Sequence, residues 1–538
     1  VVVMNSTDGE RRAGNDDTRV AWHFHERTKY VPDDTYSRIL MDTGSGLVDA
    51  IWEEDPALEP FPYKIYPTLD PIPLPRPDEG RAGDHQEPVP GGVTLADIGR
   101  ITLLSNGVLG RRTTTRSGRV IEYRAAGGTG ARYHLEEYLI CGDLPGLPAG
   151  IYHYGAHDHA LRCLRRGDYR GVVVAATGGE PATAAAPVVL AVTSTFWRNA
   201  WRYRERAYRH AYWDAGTTLS QVMAVAAAAG LPATLVLGYV DATLNRLLGV
   251  DGVREAVVAL CAIGRTSEPP RSPTAGAADI PPLALPTRPI SAGEIPLPDL
   301  HGMHAASRLD SPDDARRWRE AALTRTRPEP RGPVVPLTPV EVTASVEDAI
   351  VRRRSTRHYD TAAKLPFDAL STVLDLASRE LPADCLAPGA PPLHDCYLIV
   401  HDVDELAAGT YVQHDGFLEL LYGGDHREAA RRIACNQWYV ADAHVNAYYL
   451  TDLRPVLDAY GNRGYRLAQL EAALHAGWLH LATHGWTLSR DVRLGAVGST
   501  SYDDEVVEFF GPHAAGKSYM FVTVFGRRRP APSARAGK

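Results

Sequence analysis

WRYRERAYRHAYWDAG at residues 201–216 and DAYGNRGYRLAQLEAA at residues 458–473 are two copies of one segment. Tyr203, Arg206, Tyr208 and Arg209 recur as Tyr460, Arg463, Tyr465 and Arg466 at the same spacing. Each copy runs into a small-residue apolar stretch that reads as helix. Self-similarity over so long an interval means two related domains rather than a solenoid. Four further landmarks follow the same order in both halves. Arg111-Arg112-Thr113-Thr114 is matched by Arg353-Arg354-Ser355-Thr356-Arg357, and a Gly-containing run before a strand, GGTGARYHLEEYLI, by APGAPPLHDCYLIV. Ala149-Gly150-Ile151-Tyr152 is matched by Ala408-Gly409-Thr410-Tyr411. Each half also closes an apolar strand with Gly-Arg, at Gly264-Arg265 and Gly526-Arg527.

Composition bounds the reading. A chain of 538 residues with 44% hydrophobic and 23% charged residues is ordinary for a globular protein of two large or three smaller domains. A net charge of −8 gives no basic field for nucleic acid. No apolar run is long enough to span a bilayer, and the N-terminus lacks a secretion-like apolar core, so a cytoplasmic location is expected. The six cysteines are scattered without a C-x-x-C pair, as expected of core packers in a reducing compartment.

The division expected along the chain is an extended, proline-dense segment over 1–90 that wraps domain one, domain one at 91–266, a Pro-rich linker at 267–340, domain two at 341–530 and a disordered basic tail at 531–538. VTLADIGRITLLSNG, TTLSQVMAVAAAAGL and LPFDALSTVLDLASREL read as helices; RYHLEEYLICGD, VVLAVTSTF, HDCYLIVHDVD and KSYMFVTVFG read as strands. Helices alternate with strands throughout, which is an α/β or α+β pattern.

HFHERTKY with the later IPLPRP, GIYHYGAHDHALRCLRRGDYR, RAYRHAYWDAG and LGVDGVREAVVALCAIG, in that order, resemble the nitroreductase superfamily and within it the SagB-type dehydrogenases. The resemblance covers both domains and part of the N-terminal segment. It implies an α+β fold of two tandem nitroreductase-like sandwich domains forming an intramolecular pseudo-dimer, with a homodimer of whole chains also compatible. It implies FMN at the domain interface. It further implies oxidation of thiazoline or oxazoline rings in a ribosomally made peptide to thiazole or oxazole, with oxygen reoxidising the flavin. The implied partners are an azoline-containing precursor peptide and a cyclodehydratase complex.

Guanidinium groups beside hydroxyls suit the FMN phosphate, because Arg offers a fork of donors. Arg353, Arg354, Ser355 and Arg357 match the superfamily's phosphate motif; Arg111, Arg112 and Thr113 match it less fully. Arg265 and Arg527 at the strand ends add cations. Gly128, Thr129 and Gly130, after Gly127, fall where the family has a turn against the flavin, although its Pro and Ser are replaced. The corresponding Ala387-Pro388-Gly389-Ala390 is more eroded. The family's catalytic Lys-Tyr pair becomes Arg202-Tyr203 here. Tyr203 is then the proton carrier, its pKa lowered by a cation. Arg202 cannot serve as a base as lysine can. Domain two has Ala459-Tyr460 at this place, a non-catalytic pair. One surviving site drawing Tyr203 from domain one and its arginines from domain two, and two sites with one FMN each, are both open.

No metal is expected. His480 and His484 lack a third ligand, and His23, His25, His301 and His304 fall in stretches read as extended or linker. Asp42-Thr43-Gly44-Ser45 lacks the second loop an aspartic protease needs. Two other functions remain open. One is an NAD(P)H-dependent flavin reductase of nitro compounds or quinones. The other is a non-catalytic scaffold of a peptide-modifying complex, for which the missing lysine and eroded glycines speak.

Overall fold

The computed structural model describes residues 14–32, 55–76, 92–113, 120–270, 280–490 except 322, 324 and 328, and 492–530. The Asp42–Ser45 loop and the 531–538 tail lie outside the described residues. Two seven-stranded antiparallel sheets share one topology. The first comprises β1 (Ile72–Pro73), β4 (Leu135–Cys141), β5 (Gly150–Gly155), β6 (Ala160–Arg166), β7 (Val188–Thr195), β8 (Ala233–Val236) and β9 (Glu255–Ile263) in the order β1-β6-β5-β4-β7-β9-β8. The second comprises β10 (Val334–Pro336), β11 (His394–Val400), β12 (Gly409–His414), β13 (Phe417–Gly423), β14 (Val445–Thr451), β15 (Leu494–Gly498) and β16 (Ser518–Arg527) in the order β10-β13-β12-β11-β14-β16-β15. A separate hairpin, β2 (Val108–Thr113) with β3 (Val120–Arg124), has no counterpart among the described residues of the second half. The α+β tandem architecture expected from the repeat is the one observed.

The helices that bear on function are α1 (Arg19–Arg27), α2 (Leu95–Asn106), α3 (Phe196–Tyr203), α4 (Ala207–Ala228), α5 (Asp241–Leu248), α6 (Pro298–Ala306), α7 (Pro312–Glu320), α8 (Val346–Arg352), α9 (Phe367–Ala377), α10 (Leu453–Tyr460), α11 (Asn462–Ser489) and α12 (Asp503–Phe509). Local chemistry sets their limits. Thr94 and Asp97 form a reciprocal capping box at the start of α2, and Gly107 ends it. Strand β4 is buried at every position because its two faces enter different cores, Leu139 and Cys141 on one side and Tyr138 and Ile140 on the other. No helix of the described residues is long and apolar enough to cross a membrane.

The two long helices α4 and α11 pack directly on each other between the sheets. Small residues permit the approach: a Cβ at Gly216 would overlap the Leu470 carbonyl, and one at Gly477 would overlap the Ser220 hydroxyl. The arginines of the repeat lock this junction reciprocally. Arg206 and Arg209 of the first half reach Asp503 of the second at 3.1 and 2.5 Å. Arg463 and Arg466 of the second half reach Asp241 of the first at 2.7 and 2.8 Å. Burial alone would raise both carboxyls, yet the paired guanidinium groups hold Asp241 at about 2 and lower Asp503 as well.

Two expectations for the flanking segments change. His23 and His25 lie on helix α1, and His301 and His304 lie on helix α6, not in extended chain. These helices are themselves a repeat. The His25 carbonyl and Thr28 hydroxyl receive Arg209, while the His304 carbonyl and Ser307 hydroxyl receive Arg466. Tyr30 N–H then bonds Asp503 as Leu309 N–H bonds Asp241. Part of the stretch read as linker is therefore the second half's version of the N-terminal helix. Nor does the N-terminal segment wrap domain one alone: Phe24 of α1 packs its ring against both Tyr208 and Tyr465.

Candidate functional site

The arginine-rich turn after α8 meets the glycine loop before β4 across the junction. Arg353 donates through Nε and Nη2 to the Ala125 carbonyl at 3.0 and 2.9 Å, and its Nη1 lies 3.6 Å from where a Gly127 Cβ would stand. Arg353 is only 7% exposed and has no carboxylate partner among the described residues. Burial and the neighbouring Arg354 lower it to about 10, against a raising effect of Tyr133. It remains a cation at neutral pH, and beside it His480 and His484 are held neutral by burial and by Arg353 itself. A buried guanidinium with no carboxylate partner among the described residues, followed in the same turn by exposed Arg354, Ser355 and Arg357, is a donor set that fits a dianionic phosphate. Ser355 and Thr356 lie along the edge of β15, paired with Ala496. The Thr356 hydroxyl is buried without a hydrogen-bond partner among the described residues.

On the other side of the loop, Gly130 adopts φ 60° and faces the Tyr203 hydroxyl so closely that a Cβ there would overlap it. Arg202 stacks over the Tyr203 ring at 5.8 Å, and the neutral His210 imidazole meets that ring edge-on at 4.7 Å. Burial raises the Tyr203 pKa, and Arg202 and Arg132 offset this only in part. The lowered value expected from the sequence is not found: Tyr203 is a neutral phenol, a proton donor or relay rather than a standing base. The loop is held by groups the sequence reading missed. Thr129 donates through its N–H and hydroxyl to Asp214, which also bonds His134 at 2.9 Å. Asn199 links the Thr129 carbonyl to His210. One signal was available: Asp214 takes the same repeat position as Glu471, which holds Leu393 N–H and His394 in the second half.

The structure separates other expected residues from this site. Arg111, Arg112 and Thr113 are not the counterpart of Arg353–Ser355. They follow α2 on the β2 strand, whereas Arg353 precedes the equivalent helix α9. Arg111 pairs with Glu122 across the hairpin at 2.7 Å. The hairpin still flanks the cluster, since a Cβ at Gly110 would lie 3.8 Å from Arg354 Nη2. The first-half position preceding α2 falls in 77–91, outside the described residues. Arg265 is exposed at the end of β9 in the first half. Arg527 points to the Lys364 carbonyl. Its neighbour Arg528 instead packs beside Gly495 near Thr356 and acts electrostatically on His484. Strand alternation sends adjacent side chains to opposite faces, so the choice between them could not be made from the Gly-Arg pattern alone.

The crystal structure of an Anabaena variabilis protein assigned to the nitroreductases superimposes with TM-score 0.72 at 24% identity, covering 95% of this chain and 99% of that one. This is the nitroreductase fold. Residues 137–265 match the model of the nitroreductase family. A Methanocaldococcus jannaschii protein assigned as a nitroreductase is 23% identical over 176 residues, 33% of this chain and 83% of its own length. The trifolitoxin-processing protein TfxB of Rhizobium leguminosarum bv. trifolii is 27% identical over 190 residues, 34% of this chain and 50% of TfxB. The nitroreductase-family match thus includes helix α3 with Arg202 and Tyr203 but begins after the 125–130 loop.

Proposed function

We propose that the chain is an FMN-dependent dehydrogenase that oxidises thiazoline or oxazoline rings in a ribosomally made peptide. The observation that carries the flavin is the buried Arg353, without a carboxylate partner among the described residues, joining the second half's turn to the first half's glycine loop. Arg353, Arg354, Ser355 and Arg357, with Arg528, would hold the phosphate, and residues 125–130 would border the ring system. Bound there, FMN supplies an acceptor for two electrons and one proton's equivalent of hydride from the ring carbon. The chain's own task is the remaining proton. Tyr203, kept neutral, would relay it, taking the ring proton while handing its own phenol proton on to solvent, and Arg202 would orient the phenol and substrate without acting as a base. The likeness to a trifolitoxin-processing protein supports a peptide substrate, and with it a cyclodehydratase partner that installs the rings.

The likeness to a protein assigned as a nitroreductase favours a second reading, NAD(P)H-driven reduction of nitro compounds or quinones. One experiment separates them. Purified protein is reconstituted with FMN and given an azoline peptide, and mass spectrometry looks for loss of two hydrogens per ring with hydrogen peroxide formed. Ring oxidation without NAD(P)H supports the proposal. Steady NAD(P)H oxidation with a nitroarene and no change in the peptide would replace it. Protein that takes up no flavin would leave the scaffold function.

A further inference from the structure

The junction creates a second place, the pseudo-two-fold image of the site above. It should combine the second half's glycine loop with the outer edge of β8, the counterpart of β15. Matching Gly130 to Gly389, both with positive φ, puts Asp384 where the first half has Ala125. That exchange changes what the loop does. At the first site the edge of β15 pairs with Ser355, and Thr356 N–H bonds the Ala496 carbonyl. At the image site the edge of β8 pairs instead with Ala383 of the opposite half, through Leu235 N–H to the Pro382 carbonyl and Asp384 N–H to the Leu235 carbonyl, both 2.9 Å. Asp384 then turns its carboxylate onto the Leu237 and Gly238 N–H groups at 3.0 and 2.9 Å. Two adjacent backbone donors of this kind make an anion seat, and this seat is taken by a side chain of the protein. By the register of β8 and β15 on their neighbouring strands, its counterpart at the first site is Thr500–Ser501, where the Thr500 hydroxyl is buried with no hydrogen-bond partner among the described residues.

The surroundings are closed as well. A Cβ at Gly238 would stand 2.6 Å from Cγ of Arg319 on α7, whose guanidinium pairs with Glu180 at 3.0 Å. Tyr460, the repeat mate of Tyr203, is 1% exposed and spends its hydroxyl on the Cys385 carbonyl at 2.8 Å.

We infer that Asp384 is an internal anion that occupies the second, pseudo-equivalent site, so that the chain binds one flavin, at the Arg353 site only. The inference rests on the flavin reading of that site. It is tested by counting FMN released per chain after reconstitution in excess FMN, and by hydrogen exchange at residues 237 and 238 with and without FMN. One FMN per chain, with exchange at 237 and 238 unchanged by FMN, is expected. In Asp384→Ala those two amides should exchange at least ten-fold faster, while Arg353→Ala should leave no bound FMN. Two FMN per chain, one FMN retained in Arg353→Ala, or unchanged amide exchange in Asp384→Ala would overturn the inference while leaving the flavin function intact. No FMN in the wild type would end both. The wild-type count requires no variant to fold.

Discussion

Asp503→Ala tests whether the arginine–tyrosine repeat is a junction device. The carboxylate accepts from Arg206, Arg209 and the Tyr30 N–H, and it is 1% exposed. Removing it strands two guanidinium groups where water does not reach. Breaking a buried pair from one side costs about 3–5 kcal/mol, and because two cations are stranded the upper part of that range, about 5 kcal/mol, is expected here. The neighbour Asp504 is the internal control. Its carboxylate is 57% exposed and meets Lys29 at the surface, so Asp504→Ala should cost less than about 1 kcal/mol. Urea unfolding followed by tryptophan fluorescence suits the comparison, since Trp213 lies 5.5 Å from the Arg206 guanidinium. Asp241→Ala breaks the image contact and should destabilise to a similar extent. An Asp503→Ala midpoint no lower than that of Asp504→Ala would refute the reasoning, and a large difference between Asp503→Ala and Asp241→Ala would refute the reciprocity.

The same clamp sets a pH dependence. Asp241 is held at about 2 against an ordinary 3.8; a lowered carboxyl stabilises the fold above its unfolded value, and this is lost as pH falls from about 4 towards 2, a loss of about 2 kcal/mol that acid unfolding of wild type against Asp241→Asn will show as a smaller slope in the variant. Arg353→Lys keeps the charge but loses the fork to Ala125, so FMN affinity measured by fluorescence quenching should fall about 10–100-fold, the equivalent of one or two charge-assisted bonds, whereas Arg111→Ala should leave it unchanged. Tyr203→Phe should slow ring oxidation by about 10²-fold or more with FMN content unaltered, while Tyr460→Phe should leave the rate as it is and cost about 1 kcal/mol of stability. Gly216→Ala drives a methyl into the Leu470 carbonyl and should lower the unfolding midpoint by the equivalent of about 1–3 kcal/mol.

Much of this architecture is legible in the chain because a repeat exposes itself at fixed spacing. The helix at Thr94 carries its own capping box, and the strands at Leu135, Val188 and His394 show as apolar runs of strand length. The function of the repeated arginines is not legible, because their partners Asp241 and Asp503 sit far away in sequence on the opposite half. Helix α6 escapes notice since His304 and Ser307 match His25 and Thr28 at only two chemical positions inside a proline-rich stretch. The pairing of Arg111 with Arg353 fails for a different reason. Similar residues in similar order do not fix whether a cluster precedes or follows a helix, and only the order of elements does. Tyr203 and Gly130 are brought together as a site by the α3 helix and the loop, a contact between positions that no local pattern links.

Joining two copies in one chain also changes what a substitution can do. In a dimer of identical subunits, an aspartate placed at Ala125 would appear at both junctions and remove both cofactor seats at once. Here it appears only as Asp384, and Ala125 stays an alanine. On the flavin reading proposed above, the covalent link lets one junction hold a carboxylate in its loop while the other keeps its cofactor seat, an asymmetry that two identical subunits could not have.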